Sequence, residues 1–79
     1  MIKKEPIISS RRIEQLKMNI HLARLRGQPG TYQHIGDHFG LSVSYVGELV
    51  NGSYQSAHAL TWFERFEEYV EALLKEELN

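Results

Sequence analysis

The sequence predicts an all-α fold, a small helical bundle closed by a long C-terminal helix. Two observations predict it. Apolar residues recur at three- and four-residue spacing in successive segments, the period of a helix with one buried face. The boundaries between segments carry glycines as stops (Gly27, Gly40, Gly52) and Ser or Thr as caps (Ser9 or Ser10, Thr31, Ser42). At 79 residues the chain suits one small domain, residues 1–79, and is too short for two. A hydrophobic fraction of 42% and a charged fraction of 24% are ordinary for a globular protein.

Residues 1–8 read as a basic arm. Pro6 discourages a helix there, Lys3 and Lys4 supply the charge, and Ile7 and Ile8 are candidates to pin the arm to the body. The first helix runs from Ser9 or Ser10 to about Arg26. Ile13, Leu16, Ile20 and Ala23 form one apolar stripe. Met18, Leu22 and Leu25 form a second, which predicts that this helix touches more than one neighbour. Gly27 ends it, and Gln28-Pro29-Gly30 makes a turn.

Thr31 caps the second helix, with Ile35, Phe39 and Tyr32 pointing inward and Gln33 and Asp37 outward. Gly40 stops it. Leu41 bridges to Ser42, the cap of a third helix that reaches about Val50. Val46 and Leu49 turn inward there. Ser44, Gly47, Glu48 and Asn51 turn outward, with Val43 and Tyr45 at the edges of that face. Gly47 has two readings: it lets a partner surface approach the exposed face, or it relieves crowding against a neighbouring helix.

The last helix starts either after Ser56 or at the capping box Thr61-Trp62-Phe63-Glu64 and runs to residue 78. Leu60, Trp62, Phe63, Phe66, Tyr69, Val70, Leu73, Leu74 and Leu78 cover about half of its wheel. That is broader than a surface helix needs. One edge, Trp62, Phe66, Tyr69 and Leu73, is therefore expected to be left over and to pair with a second copy of the chain.

From Thr31 to Gly52 the chain reads TYQHIGDHFGLSVSYVGELVNG. Small Gly36, Gly40 at the turn, apolar Leu41, the Ser42 cap, and Val46 and Leu49 three apart resemble the helix-turn-helix of bacterial and phage transcription regulators. The resemblance covers about a quarter of the chain. The Ser53–Ser56 link is too short for the β-hairpin wing that some such regulators carry. The resemblance implies a sequence-specific DNA-binding regulator, a repressor that binds double-stranded DNA as a homodimer on a palindromic operator. By position in the motif, Ser42 begins the recognition helix. Val43, Ser44, Gly47 and Glu48 hold base-facing positions, with Tyr45 beside them. Thr31 and Gln33 meet backbone phosphate at a helix N-terminus.

Charge is uneven. Residues 1–40 carry seven Lys and Arg against three Asp and Glu, and residues 41–79 carry two against seven. No Lys or Arg lies between Thr31 and Gly52, so phosphate attraction has to come from outside the motif. Lys3, Lys4, Arg11 and Arg12 are the first candidates, with Lys17, Arg24 and Arg26 further along.

Other classes find less support. No catalytic constellation is readable, and an enzyme is not expected. His34 and His38 are four apart but lack a third ligand, and there is no cysteine, so neither a metal nor another cofactor is expected. No apolar run approaches membrane-spanning length and no signal peptide is evident, which predicts a cytoplasmic protein. The rival reading is a protein-interaction module, an antitoxin-like, phage or plasmid adaptor. In it the helix-turn-helix is scaffold and the last helix binds a second protein.

Overall fold

A computed structural model describes residues 6–76. Lys3, Lys4, most of the expected arm and Leu78 lie outside the described residues. The fold is all-α. Four helices follow in order: α1 (Ser10–Leu25), α2 (Tyr32–Phe39), α3 (Val43–Val50) and α4 (Ala57–Glu76). The long helices α1 and α4 pack on each other, and the short pair α2 and α3 packs together. α3 also touches both α1 and α4.

Local chemistry sets the helix ends. The Ser9 side chain accepts from the Arg12 backbone N–H and opens α1. Thr31 does the same for α2 through His34 N–H at 3.2 Å, and Ser42 for α3 through Tyr45 N–H at 3.1 Å. Of the two possible starts of α4, the earlier is observed: Ser56 Oγ accepts from Ala59 N–H at 3.1 Å. Thr61 lies inside the helix and donates back to the Ala57 carbonyl at 3.1 Å. Gly40 ends α2 at φ 74°, in the left-handed region that glycine occupies without a Cβ penalty.

The α2–α3 turn is tight because Gly36 has no side chain. A Cβ there would stand 2.5 Å from the Leu41 carbonyl oxygen. The Leu41 N–H instead returns to the Gly36 carbonyl at 2.8 Å.

Ile8, Leu16, Ile20, Ile35, Val46, Leu49, Val50, Ala59, Phe63, Phe66 and Val70 make one buried cluster. Ile8 is its N-terminal member and is held by Gln55. The Ile8 N–H donates to Gln55 Oε1 at 2.7 Å, and Gln55 Nε2 donates back to the Ile8 carbonyl at 3.3 Å. Ile7 is exposed.

Two packing expectations are corrected. The edge of α4 expected to be left over is largely covered within the chain: Phe66 is fully buried, Leu73 is 9% exposed, and Trp62 and Tyr69 are half-buried. The reason is the reach of α2 and of the turn before it. The Phe39 ring sits with its centroid 5.6 Å from Phe66, 5.8 Å from Trp62 and 5.9 Å from Tyr69. Tyr69 Oη donates to the Pro29 carbonyl at 2.8 Å, and the Gln28 side-chain amide donates to the Leu73 carbonyl. The second correction concerns α1. The helix does touch both α4 and α3, as expected, but its stripe of Met18, Leu22 and Leu25 is left 60%, 38% and 70% exposed. The uncovered apolar face of the described chain is therefore on α1, not on α4.

Candidate nucleic-acid interface

α3 presents Val43, Ser44, Glu48 and Asn51 to solvent. This follows from the burial of Val46, Leu49 and Val50 on its other side. Val43 is 41% exposed, an apolar side chain open to solvent at the first position of the helix. The Ser42 hydroxyl oxygen is engaged in the cap, while Ser44 is exposed. Tyr45 is half-buried, its ring centroid 5.8 Å from that of Tyr54. Glu48 is held from outside its helix: Tyr54 Oη donates to Glu48 Oε2 at 2.6 Å. That bond holds the Tyr54 phenol above its ordinary ionisation range, with the nearby Glu48 charge acting in the same direction.

Gly47 does not sit on an open face. The atoms nearest to a Cβ built there are Tyr32 Cε2 at 3.5 Å and Cδ2 at 3.6 Å. Of its two readings, the contact with a neighbouring helix describes its position, although 3.5 Å is ordinary van der Waals distance and no crowding is relieved. Gly47, expected among the base-facing positions, is half-buried and lies against Tyr32 at the α2–α3 seam.

At the start of α2, Thr31 Oγ1 lies 2.7 Å from His34 Nδ1, and Gln33 Nε2 donates to Asp37 Oδ1 at 2.9 Å. His34 and His38 do not converge. The His38 ring turns instead against Tyr69, centroids 4.7 Å apart. Among the described residues no group of three or more His, Cys, Asp or Glu is placed to hold a metal ion.

The cations divide into two sets. Arg12 faces α4. Its Nη2 and Nε donate to the two Glu67 carboxylate oxygens, the latter at 3.2 Å, Glu64 lies 4.0 Å from Nη2, and the guanidinium stacks 5.6 Å from the Phe63 ring centroid. Its pKa is raised further, chiefly by the bond to Glu67. Arg12, expected as a source of phosphate attraction, here ties α1 to α4 as an interhelical clamp. Arg26 donates to the Leu74 carbonyl at 3.4 Å. Arg11 is exposed near the start of α1.

The second set is Lys17, His21 and Arg24, spaced so that they share one flank of α1. They line a groove of about 580 Å³ together with Ile20, Thr31, Tyr32, Gln33 and Asn51. The groove thus joins α1, the N-terminus of α2 and the C-terminus of α3, and among the described residues no carboxylate lines it. Arg24 acts on the Tyr32 phenol, whose pKa is raised by burial and partly lowered again by the Arg24 charge. Asn51 is held at the groove by donation from Nδ2 to the Gly47 carbonyl at 2.7 Å.

Thr31 and Gln33, expected at backbone phosphate from their place in the motif, line this groove. His21 was missed; the i, i+4, i+7 spacing of Lys17, His21 and Arg24 is the signal that puts all three on one flank. That this flank, rather than Arg11 and Arg12, adjoins the motif depends on how α1 is rotated against α4. Comparison with protein-family models, curated proteins and solved structures found no match for this chain.

Proposed function

We propose that the chain is a DNA-binding regulator that lays α3 in the major groove and seats an adjacent backbone phosphate in the groove beneath Lys17, His21 and Arg24. The observation that carries this reading is the groove: three nitrogen-bearing side chains of α1 line it together with Thr31, Tyr32 and Gln33 at the N-terminus of α2. A helix N-terminus supplies unpaired N–H groups and the positive end of a dipole, which suits an anion. α3 then offers chemically distinct base contacts. Val43 suits a thymine methyl, Ser44 a base or phosphate oxygen, and Glu48 the cytosine N4 amine. Repression by a homodimer on a palindromic operator remains part of the proposal. It requires two α3 helices about 34–36 Å apart.

Binding of a fluorescent duplex at several salt concentrations tests it. Lys17→Ala and Arg24→Ala are each expected to weaken binding to every sequence. Each should also flatten the slope of log affinity against log salt, by about 0.9 for every phosphate that is no longer neutralised. An unchanged slope in both variants would remove the groove from the DNA interface.

A second reading, interaction with another protein, has the exposed stripe of Met18, Leu22 and Leu25 in its favour. Apolar side chains in one row on a helix suit a protein surface better than a phosphate backbone.

A further inference from the structure

The hydrogen bond from Tyr54 to Glu48 crosses from the loop after α3 back to its outward face. Glu48 stands on a solvent-facing turn of α3, two positions before the buried Val50. A glutamate on an exposed helix face ordinarily samples several rotamers, each costing entropy to fix. It also repels the phosphates that surround any major-groove reader. Here one carboxylate oxygen is already taken. Tyr54 Oη donates to Oε2 at 2.6 Å, the short length of an O–H bond to an ionised acceptor. The Tyr54 ring is itself placed against Tyr45, centroids 5.8 Å apart, so the donor is braced by a residue of α3. Tyr54 is 43% exposed, so the pair stands at the surface and not in the core.

Resting on the DNA-reading proposal, we infer that Tyr54 is a specificity-determining positioning residue: its hydroxyl holds the Glu48 carboxylate in one orientation and leaves Oε1 as a single aimed acceptor for a base-edge amine. A fixed acceptor discriminates between bases better than a mobile one, because the rotamer is chosen before the DNA arrives. Without the hydroxyl, Glu48 is free to swing toward solvent and to accept from whichever donor is in reach.

The experiment is selection of preferred duplexes from a random library by the unmodified chain, Tyr54→Phe, Glu48→Gln and the double variant. Tyr54→Phe keeps the ring against Tyr45 and removes only the donor. It is expected to lower the preference at one base-pair position by about fivefold, the low end of what one base contact discriminates. Glu48→Gln should change which base is preferred at that same position, since an amide carries a donor beside its acceptor, and the double variant should alter no position beyond that one. A change spread over all positions, or an effect of the double variant at any other position, would mark Tyr54 as merely structural and overturn the inference. So would a Glu48-dependent position that Tyr54→Phe leaves intact, or a selected sequence in which Glu48→Gln alters nothing; in both cases DNA reading itself stands. If the unmodified chain enriches no sequence, DNA reading and the role of Tyr54 fall together.

Discussion

Gly36, Gly40 and Gly47, three of the four glycines of the motif, look alike in the sequence and differ in what holds them. At Gly36 a Cβ would stand 2.5 Å from the backbone carbonyl of Leu41, an atom that cannot move without shifting the turn between α2 and α3. At Gly40 the space is open, but φ of 74° favours glycine. At Gly47 neither constraint applies: φ is helical and the Tyr32 ring is at normal contact distance. Gly36→Ala is therefore expected to destabilise the chain by about 1–3 kcal/mol through forced backbone displacement. Gly47→Ala is expected to stabilise it by up to about 1 kcal/mol, since alanine is the better helix former and the added methyl packs on Tyr32. Urea titration of both variants, followed by circular dichroism, gives the two signs directly. Destabilisation by Gly47→Ala would mean that the Tyr32 ring cannot accept the methyl.

Among the helices, α1 serves three neighbours with different flanks. Leu16, Ile20 and Ala23 are buried, Arg12 reaches Glu67 on α4, and Lys17, His21 and Arg24 border α2 and α3. The Arg12 clamp is two-pronged but not deeply buried, with side-chain exposures of 38% for Arg12 and 22% for Glu67. Its worth is correspondingly limited. Arg12→Ala is expected to cost up to about 1 kcal/mol of stability, a loss that salt partly masks in the unmodified chain. The same variant should leave DNA affinity and its salt slope near those of the unmodified chain, unlike Lys17→Ala and Arg24→Ala. Thermal melts and binding titrations on the three variants separate the clamp from the groove. A large loss of affinity in a folded Arg12→Ala protein would return that residue to the interface.

For the molecule as a whole, the distribution of exposed apolar surface decides where a second chain can bind. Phe66 and Leu73 belong to the interior, so a change such as Phe66→Glu would place a charge in the core and unfold the chain rather than split a dimer. Met18, Leu22 and Leu25 are the large apolar side chains open to solvent in one helical row. A dimer in solution therefore has this row as its available apolar seam. The row is short, and three side chains fall well below the roughly 800 Å² that each partner of a stable complex contributes. Sedimentation at micromolar concentration is expected to return a species near 9.2 kDa for the free chain, with a two-chain complex appearing on DNA that carries two half-sites. A stable free dimer that Leu22→Glu dissociates would instead make the α1 row a permanent interface.

Features that depend on neighbours within a few residues were legible before any folding. Thr31 and Ser42 cap because their hydroxyls reach an N–H three residues on, and Gly40 turns because it alone of the turn residues lacks a Cβ. The inward faces of α2 and α3 follow from helical period, which is why Ile35, Val46 and Leu49 were readable as core. Three other matters waited on the packing of one helix against another. The first is which of the two apolar stripes of α1 is covered. The second is that Phe39 and the Gln28–Gly30 turn cover the expected dimer edge of α4. The third is that Arg12 turns to Glu67, a residue 55 positions away, while Lys17, His21 and Arg24 border the motif. Each turns on the rotation of one helix about its axis relative to another. Periodicity gives the relative angles of side chains on a wheel, but the wheel's absolute orientation is set by how two helices pack, and that is a property of the pair.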